Sequence, residues 1–209
     1  MGKYTLTYFD LAGRGQITRH LFCLGGIEFE DKRVGGESWM AIKDSCPLKQ
    51  LPILDVQGMD TLCQSSAIER FVAREANLLG SGSTEMATID QIHTTLGDIV
   101  GLVIPFYFGE VSKDAEKKEA LRVTLVNDKL PVFFAFFNKK LEANNGGDGF
   151  FVGSSVSLAD VAWANIAGFF KGIDTDGKFT AEYPKLYALV ERVMELPAVK
   201  AFNEKHEKK

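Results

Sequence analysis

The sequence predicts a mixed α/β half followed by an all-α half, packed as two domains. Three observations carry this. Strand-like alternation of apolar and polar residues ends near residue 64. A small-residue stretch, GSGST, occupies 80–84, and every apolar pattern beyond it recurs at helical spacing. The chain has 209 residues, 45% of them hydrophobic, which is enough for one large core or two small ones. The expected boundaries are a first domain at 1–79, a linker at 80–84 and a helical domain at 85–209.

Each element has its own signal. Tyr4, Leu6 and Tyr8 alternate with Thr5 and Thr7, the period of a strand. Ile17, Leu21 and Leu24 recur at helical spacing beside Phe22, and Gly25-Gly26 closes that helix. IEFEDKRV predicts a second strand and ESWMAIKD a short helical or irregular stretch. LPILDV and DTLCQS flank Gly58 as a hairpin would. SAIERFVAREANL then forms a helix with Ile68, Phe71, Val72 and Ala76 on its apolar face. In the second half, a helix from Met86 to about Phe108 carries Ile89, Ile92, Leu96, Ile99 and Val103. A long helical segment covers 113–143 with a kink at Pro131. NNGGDG is a loop. Ser157-x-x-Asp160 has the spacing of a capping box, and two further helices complete the chain.

Composition removes several classes of function. MGKYTLTYF lacks the apolar region of a signal peptide, and Leu6 stands where a myristoylation motif wants Ser or Thr. No apolar run reaches membrane-spanning length. Cys23, Cys46 and Cys63 are odd in number and widely spaced. They form neither a disulfide framework nor a zinc motif, and fit a reducing, cytoplasmic compartment. His20, His93 and His206 lack metal-ligand spacing, so no metal is expected. The net charge of −4 comes with scattered basic residues, which argues against nucleic acid as a partner.

The stretch LTYFDLAGRGQ breaks from strand into a glycine turn at Gly13 and Gly15, the place where a nucleotide phosphate would bind. A dinucleotide fingerprint needs a third small residue where Thr18 stands, and no Walker motif occurs. The turn therefore reads as a device for close packing.

Five stretches in register carry a specific resemblance: YTLTYFDLAGRG, Ser38-Trp39 with Lys43, QLPIL at 50–54, QSSAIERFVARE at 64–75 and GDGFFVGSSVSLADV at 147–161. Together they resemble the cytosolic glutathione transferases, most of all the sigma class, over nearly the whole chain. That class includes invertebrate transferases, S-crystallins and haematopoietic-type prostaglandin D synthase. The resemblance implies a thioredoxin-like first domain of order β-α-β-α-β-β-α, an all-helical second domain, a homodimer and glutathione as co-substrate.

It also implies roles for single residues. Tyr8 is the catalytic tyrosine, a phenol that donates to the glutathione sulfur and favours the thiolate, the nucleophilic form. A hydrogen bond to a charged group is worth roughly 1.5–3 kcal/mol, or about one to two units of thiol acidification. Arg14 adds positive field at the sulfur. Trp39 and Lys43 grip the glycyl end of glutathione through an indole N–H and an ammonium. Gln50, Leu51 and Pro52 pair with its cysteinyl backbone ahead of a cis-proline. Gln64 and Ser65 anchor the γ-glutamyl end at a helix start, where free N–H groups attract carboxylate. Asp98 reaches the γ-glutamyl amine from the neighbouring subunit. Phe9, Leu102 and Phe106 are candidates for the apolar pocket. Two positions depart from the family pattern: Gln16 replaces a frequent Glu, and Lys49 a frequent Gly.

The implied activity is conjugation of glutathione to small apolar electrophiles, a detoxification reaction. Two alternatives stand beside it. One is glutathione-dependent prostaglandin D isomerisation, but of the acidic cluster that binds a divalent metal in the mammalian synthase only Asp98 matches, with Thr94 and Gly97 elsewhere. The other is a non-enzymatic lens crystallin or ligand carrier. The retained Tyr8, Trp39, Lys43, Gln64 and Ser65 favour an enzyme.

Overall fold

A computed structural model describes residues 2–206. The chain divides into two compact units, residues 1–79 with 195–209, and residues 80–194.

The first unit is built on a four-stranded sheet. Its elements in chain order are β1 (Tyr4–Phe9), α1 (Gln16–Leu24), β2 (Glu30–Val34), α2 (Gly36–Ile42), β3 (Ile53–Val56), β4 (Leu62–Cys63) and α3 (Ser65–Glu75). The sheet order is β2-β1-β3-β4, with β1 parallel to β2 and antiparallel to β3. A parallel neighbour requires a crossover, and α1 supplies it. The expected β2 is trimmed: its ladder begins at the Thr5–Glu30 pair, and Phe29 instead stacks on Phe22 of α1. Tyr4 lies on the helix side of the sheet, against Phe22 and Phe71, and its hydroxyl donates to Glu75. Leu6 and Leu54 are fully buried, as central-strand residues covered by helices should be.

The second unit holds α4 (Gly82–Tyr107), α5 (Glu110–Lys113), α6 (Ala115–Thr124), α7 (Leu130–Ala143), α8 (Leu158–Ile166), α9 (Lys178–Glu182) and α10 (Pro184–Met194). The expected segment 113–143 is two helices joined by a wide π turn at Leu125–Lys129, where the Leu130 N–H reaches the Leu125 carbonyl five residues back. Pro131 follows at the first turn of α7, the one helical position where a missing N–H costs little. Asp160 closes the capping box, accepting from the N–H and hydroxyl of Ser157 and from the Phe151 N–H. The core is aromatic. Trp163 is fully buried among Phe134, Phe137 and Phe170, and its indole donates to the Leu186 carbonyl at 2.8 Å.

Three expectations are corrected. Helix α4 begins at Gly82, inside the stretch read as linker, because Glu85 turns back to accept the Ser81 N–H. The last helix, α11 (Pro197–His206), belongs with the first unit: Asn203 meets His20 and Gln16 of α1, and Phe202 packs on His20. Finally, the helical run Gly82–Lys113 holds an 18-residue window of mean hydropathy 1.3, long and apolar enough to cross a membrane by length and composition alone. A buried stripe accounts for this. Ile89, Ile92, Leu96, Ile99 and Val103 are fully enclosed in the second unit, where α4 packs on α7 and α8.

Candidate active site

Strand β1 delivers Tyr8 to its C-terminal end, buried at 7% exposure. The chain then turns through Asp10–Ala12 into a tight helical turn at Gly13–Gly15. That turn is folded around the Tyr8 ring. A Cβ added at Gly15 would stand 2.6 Å from Tyr8 Cδ1, and one at Gly13 would stand 2.7 Å from Tyr8 Oη. Gly13 also has φ +38°, which L side chains rarely adopt. The close wrap brings the Arg14 N–H to donate to Tyr8 Oη at 3.0 Å. With that acceptance made, the phenol's own proton is left to point outward. A hydroxyl that accepts a hydrogen bond is polarised into a better donor.

A polar recess opens beside this corner. Arg14, Gln50, Leu51, Pro52, Gln64 and Ser65 line it, together with Leu48 and Cys63. The Leu51–Pro52 peptide is cis. Gln64 caps α3 with φ 73° and ψ 113°, a sparsely populated conformation, and its carbonyl accepts the N–H groups of Ala67 and Ile68. Ser65 and Ser66 are the first residues of α3, where backbone N–H groups have no carbonyl one turn back. The recess therefore ends on a helix N-terminus suited to a carboxylate. Arg14 is the charged residue among those lining it.

Comparisons with known proteins identify the family. Residues 101–206 match the family described as glutathione S-transferase, C-terminal domain. Hematopoietic prostaglandin D synthase of Gallus gallus is 36% identical over 208 residues, covering 100% of this chain and 98% of its own length. The chain belongs to the glutathione S-transferase family. Probable glutathione S-transferase 5 of Caenorhabditis elegans is 32% identical, with 98% and 97% of the two chains covered. The solved prostaglandin synthase D of Nilaparvata lugens superposes at a TM-score of 0.84 with 33% identity, covering 99% of this chain and all of that one.

The remaining sequence-predicted residues of this transferase are placed as follows. Trp39, on α2, is half-buried and packs edge-on against Phe9 at 5.7 Å. Lys43, also half-buried, opens the helical turn that leads toward Cys46 and the 49–52 segment. Asp98 is exposed on α4 in the second unit, and is not among the residues gathered around the recess. Phe9 and Leu102 keep partial exposure, in different units. Phe106 is 5% exposed and packs on Tyr107 with the Lys118 ammonium over its ring, which is the work of a core residue. Lys49 holds φ 51°, the left-handed region that favours glycine.

Sequence reasoning passed over two features. Leu48 and Cys63 line the recess, which no spacing signals. Arg19 is fully buried on α1 beneath the corner, hidden because apolar periodicity does not report an inward-facing arginine. Cys46 is 4% exposed and its Sγ–H donates to the Ile42 carbonyl. Burial pushes its pKa up, which disfavours the thiolate.

Proposed function

We propose that this transferase adds the glutathione thiolate to small apolar electrophiles, with Tyr8 as the group that holds the thiolate. The observation that carries the reading is the Arg14 N–H donating to Tyr8 Oη at 3.0 Å, beside a recess lined by Arg14, Gln64 and Ser65. The γ-glutamyl carboxylate lies at the start of α3, held by Ser65 and the first backbone N–H groups. The cysteinyl backbone pairs along Gln50–Pro52, and Trp39 and Lys43 take the glycyl carboxylate. The glutathione thiol loses its proton to solvent. Its sulfur then accepts the Tyr8 O–H and attacks the electrophile, either expelling a leaving group or adding across a polarised double bond. Arg14 supplies positive field, and no step calls for a metal.

Tyr8→Phe tests this. The variant should retain glutathione binding and lose roughly 10- to 150-fold in aryl-halide conjugation, from a hydrogen bond worth about 1.5–3 kcal/mol. Unchanged turnover overturns the role of Tyr8. A homodimer with Asp98 reaching across to the γ-glutamyl amine is part of the same proposal, supported by the exposure of Asp98 on α4. A cytoplasmic setting is supported by three unpaired thiols, Cys23, Cys46 and Cys63.

A second reading, isomerisation of a prostaglandin endoperoxide, draws on the names of the Gallus gallus and Nilaparvata lugens relatives. Against it stand Thr94 and Gly97, neutral residues on the α4 stretch that carries Asp98. Product formation from the endoperoxide with glutathione, with and without magnesium, separates the two.

A further inference from the structure

We infer that Arg19 is a positioning residue for Tyr8: its buried guanidinium clamps the strand-to-turn corner that sets the phenol against the Arg14 N–H. The inference rests on the reading of Tyr8 as donor to the thiolate.

Arg19 lies on α1 with no exposed side-chain surface. Its Nε donates to Asp31 Oδ1 at 3.0 Å. Nη1 donates to the Leu11 carbonyl at 2.7 Å and to Gln16 Oε1 at 3.4 Å, and Nη2 to the Phe9 carbonyl at 3.2 Å. The guanidinium carbon also stands 5.7 Å from the centre of the Tyr8 ring. One planar group thus binds two carbonyls of the corner that follows Tyr8, those of Phe9 and Leu11, and faces the ring itself. Only arginine has donors fanned widely enough for this, since a lysine ammonium is a point charge.

The corner needs such an anchor. Leu11 is 53% exposed, and Asp10, Leu11 and Ala12 border an open recess of about 350 Å³. Side-chain packing therefore does not fix the loop from outside. Beyond it lie Gly13 and Gly15, the most pliable residues available, and the Arg14 N–H between them must stay within reach of Tyr8 Oη. Displacements near 1 Å at a reacting group cost on the order of 100-fold in rate.

The clamp is itself braced. Asp31 Oδ2 accepts from Arg33 Nε at 2.8 Å, and Arg33 Nη1 donates to Asp10 at 3.0 Å, which ties the outer side of the corner to β2. On the inner side, Gln16 turns its Oε1 to Arg19 and its Nε2 to His20 and Asn203, at 2.8 and 3.4 Å. Gln16 is thus a neutral amide that contacts both Arg19 and α11.

Arg19→Lys keeps a cation beside Asp31 and removes the fork. We expect kcat for aryl-halide conjugation to fall about tenfold or more, with the glutathione KM within about threefold because the recess is untouched. The titration of the bound glutathione thiol, followed by thiolate absorbance, should move up by about one unit, the equivalent of that tenfold loss. In a Tyr8→Phe background the same substitution should add little. A folded Arg19→Lys protein with unchanged kcat and thiol titration overturns the inference, as does an undiminished effect without the Tyr8 hydroxyl. If Arg19→Lys does not fold, Asp31→Asn slackens the same clamp: a lowered kcat at constant KM supports it, and an unchanged kcat overturns it. Should Tyr8→Phe alone leave conjugation intact, the reading of Tyr8 falls and this inference with it. A Tyr8→Phe loss beside an unaffected Arg19→Lys removes the inference alone.

Discussion

A single methyl group at Gly15 should disable the site without replacing any residue proposed to bind the ligand. Gly15 has φ −87° and ψ −19°, a conformation open to alanine, so the substitution brings no backbone strain. Its effect is steric. The new Cβ would stand 2.6 Å from Tyr8 Cδ1, 2.8 Å from Cγ and 3.1 Å from Cβ. A χ1 change that relieved Cδ1 and Cγ would swing the phenol away from the Arg14 N–H, and Tyr8 Cβ stays at 3.1 Å while β1 stays in place. Ordinary contact begins near 3.4 Å, so ring and turn must separate by roughly 0.8 Å. The Arg14 N–H to Tyr8 Oη distance then opens from 3.0 Å to nearly 4 Å, beyond hydrogen bonding.

Two costs follow. Overpacking of a close contact costs about 1–3 kcal/mol in stability, which lowers the melting temperature by about 2–10 °C in a chain of this size. Misplacement of the phenol costs about 10- to 100-fold in turnover, equivalent to about 1.4–2.7 kcal/mol. Steady-state conjugation of an aryl halide at varied glutathione gives kcat and KM, and a thermal melt gives stability. Lowered kcat, a KM within a few-fold and a modestly lower melting temperature are expected. Wild-type kcat and melting temperature together would refute the argument that the turn grips the ring.

Asp160 makes stability depend on pH. Burial pushes its carboxyl up to about 6 even against three donors. The folded chain therefore holds this proton between about pH 4 and 6, where the unfolded chain has released it, so stability falls as pH rises through that window, by at most about 3 kcal/mol. Unfolding free energies of wild type and Asp160→Asn measured across pH 4–7 should differ in slope there, and parallel curves would refute the reading. Gln64→Gly should raise stability by about 1 kcal/mol through relief of its backbone strain, while the glutathione KM rises about tenfold. A less stable variant with unchanged KM counts against both halves of that statement. Trp163→Phe strands the Leu186 carbonyl and leaves a void, and should cost about 2–4 kcal/mol in a denaturant melt while conjugation per folded molecule is unchanged.

The fold was legible where a pattern is local. Tyr4, Leu6 and Tyr8 mark β1 by alternation alone, and Ser157 and Asp160 mark the start of α8 by spacing alone, because both signals come from residues a few positions apart. What stayed hidden depends on distant partners. Nothing near Asn203 in sequence says that it meets His20 on α1, so α11 read as one more helix of the second half. The start of β2 was misjudged because a strand begins where its ladder begins, a property of β1 as much as of β2. At the site, residue physics alone left Tyr8 as an ordinary strand aromatic. The family resemblance gave it a role, and it pointed to Gln50–Pro52, Gln64 and Ser65, which line the same recess. It was silent on Arg19, whose work is done on carbonyls and leaves no motif.

The strained backbone of this chain supports the same location for the chemistry. Among the described residues, four that are not glycine have positive φ: Lys49, Gln64, Asn77 and Asn145. The two asparagines follow ordinary chemistry, since a short polar side chain tolerates the left-handed region. Lysine and glutamine have no such excuse, and each forfeits on the order of 1–3 kcal/mol there. Gln64 lines the recess, and Lys49 immediately precedes Gln50, which also lines it. At Gln64 a glycine would hold the same turn with less strain but would give up a side chain at the mouth of α3. The strain at that position is the cost of keeping a hydrogen-bonding group where the ligand's charged end is proposed to lie. Lys49 has no equivalent contact with the recess: its ammonium pairs with exposed Asp44 at 2.7 Å, an interaction worth little in water. One strained residue is thus accounted for by the site and its neighbour is not, which makes Gln64 rather than Lys49 the position where stability has been exchanged for function.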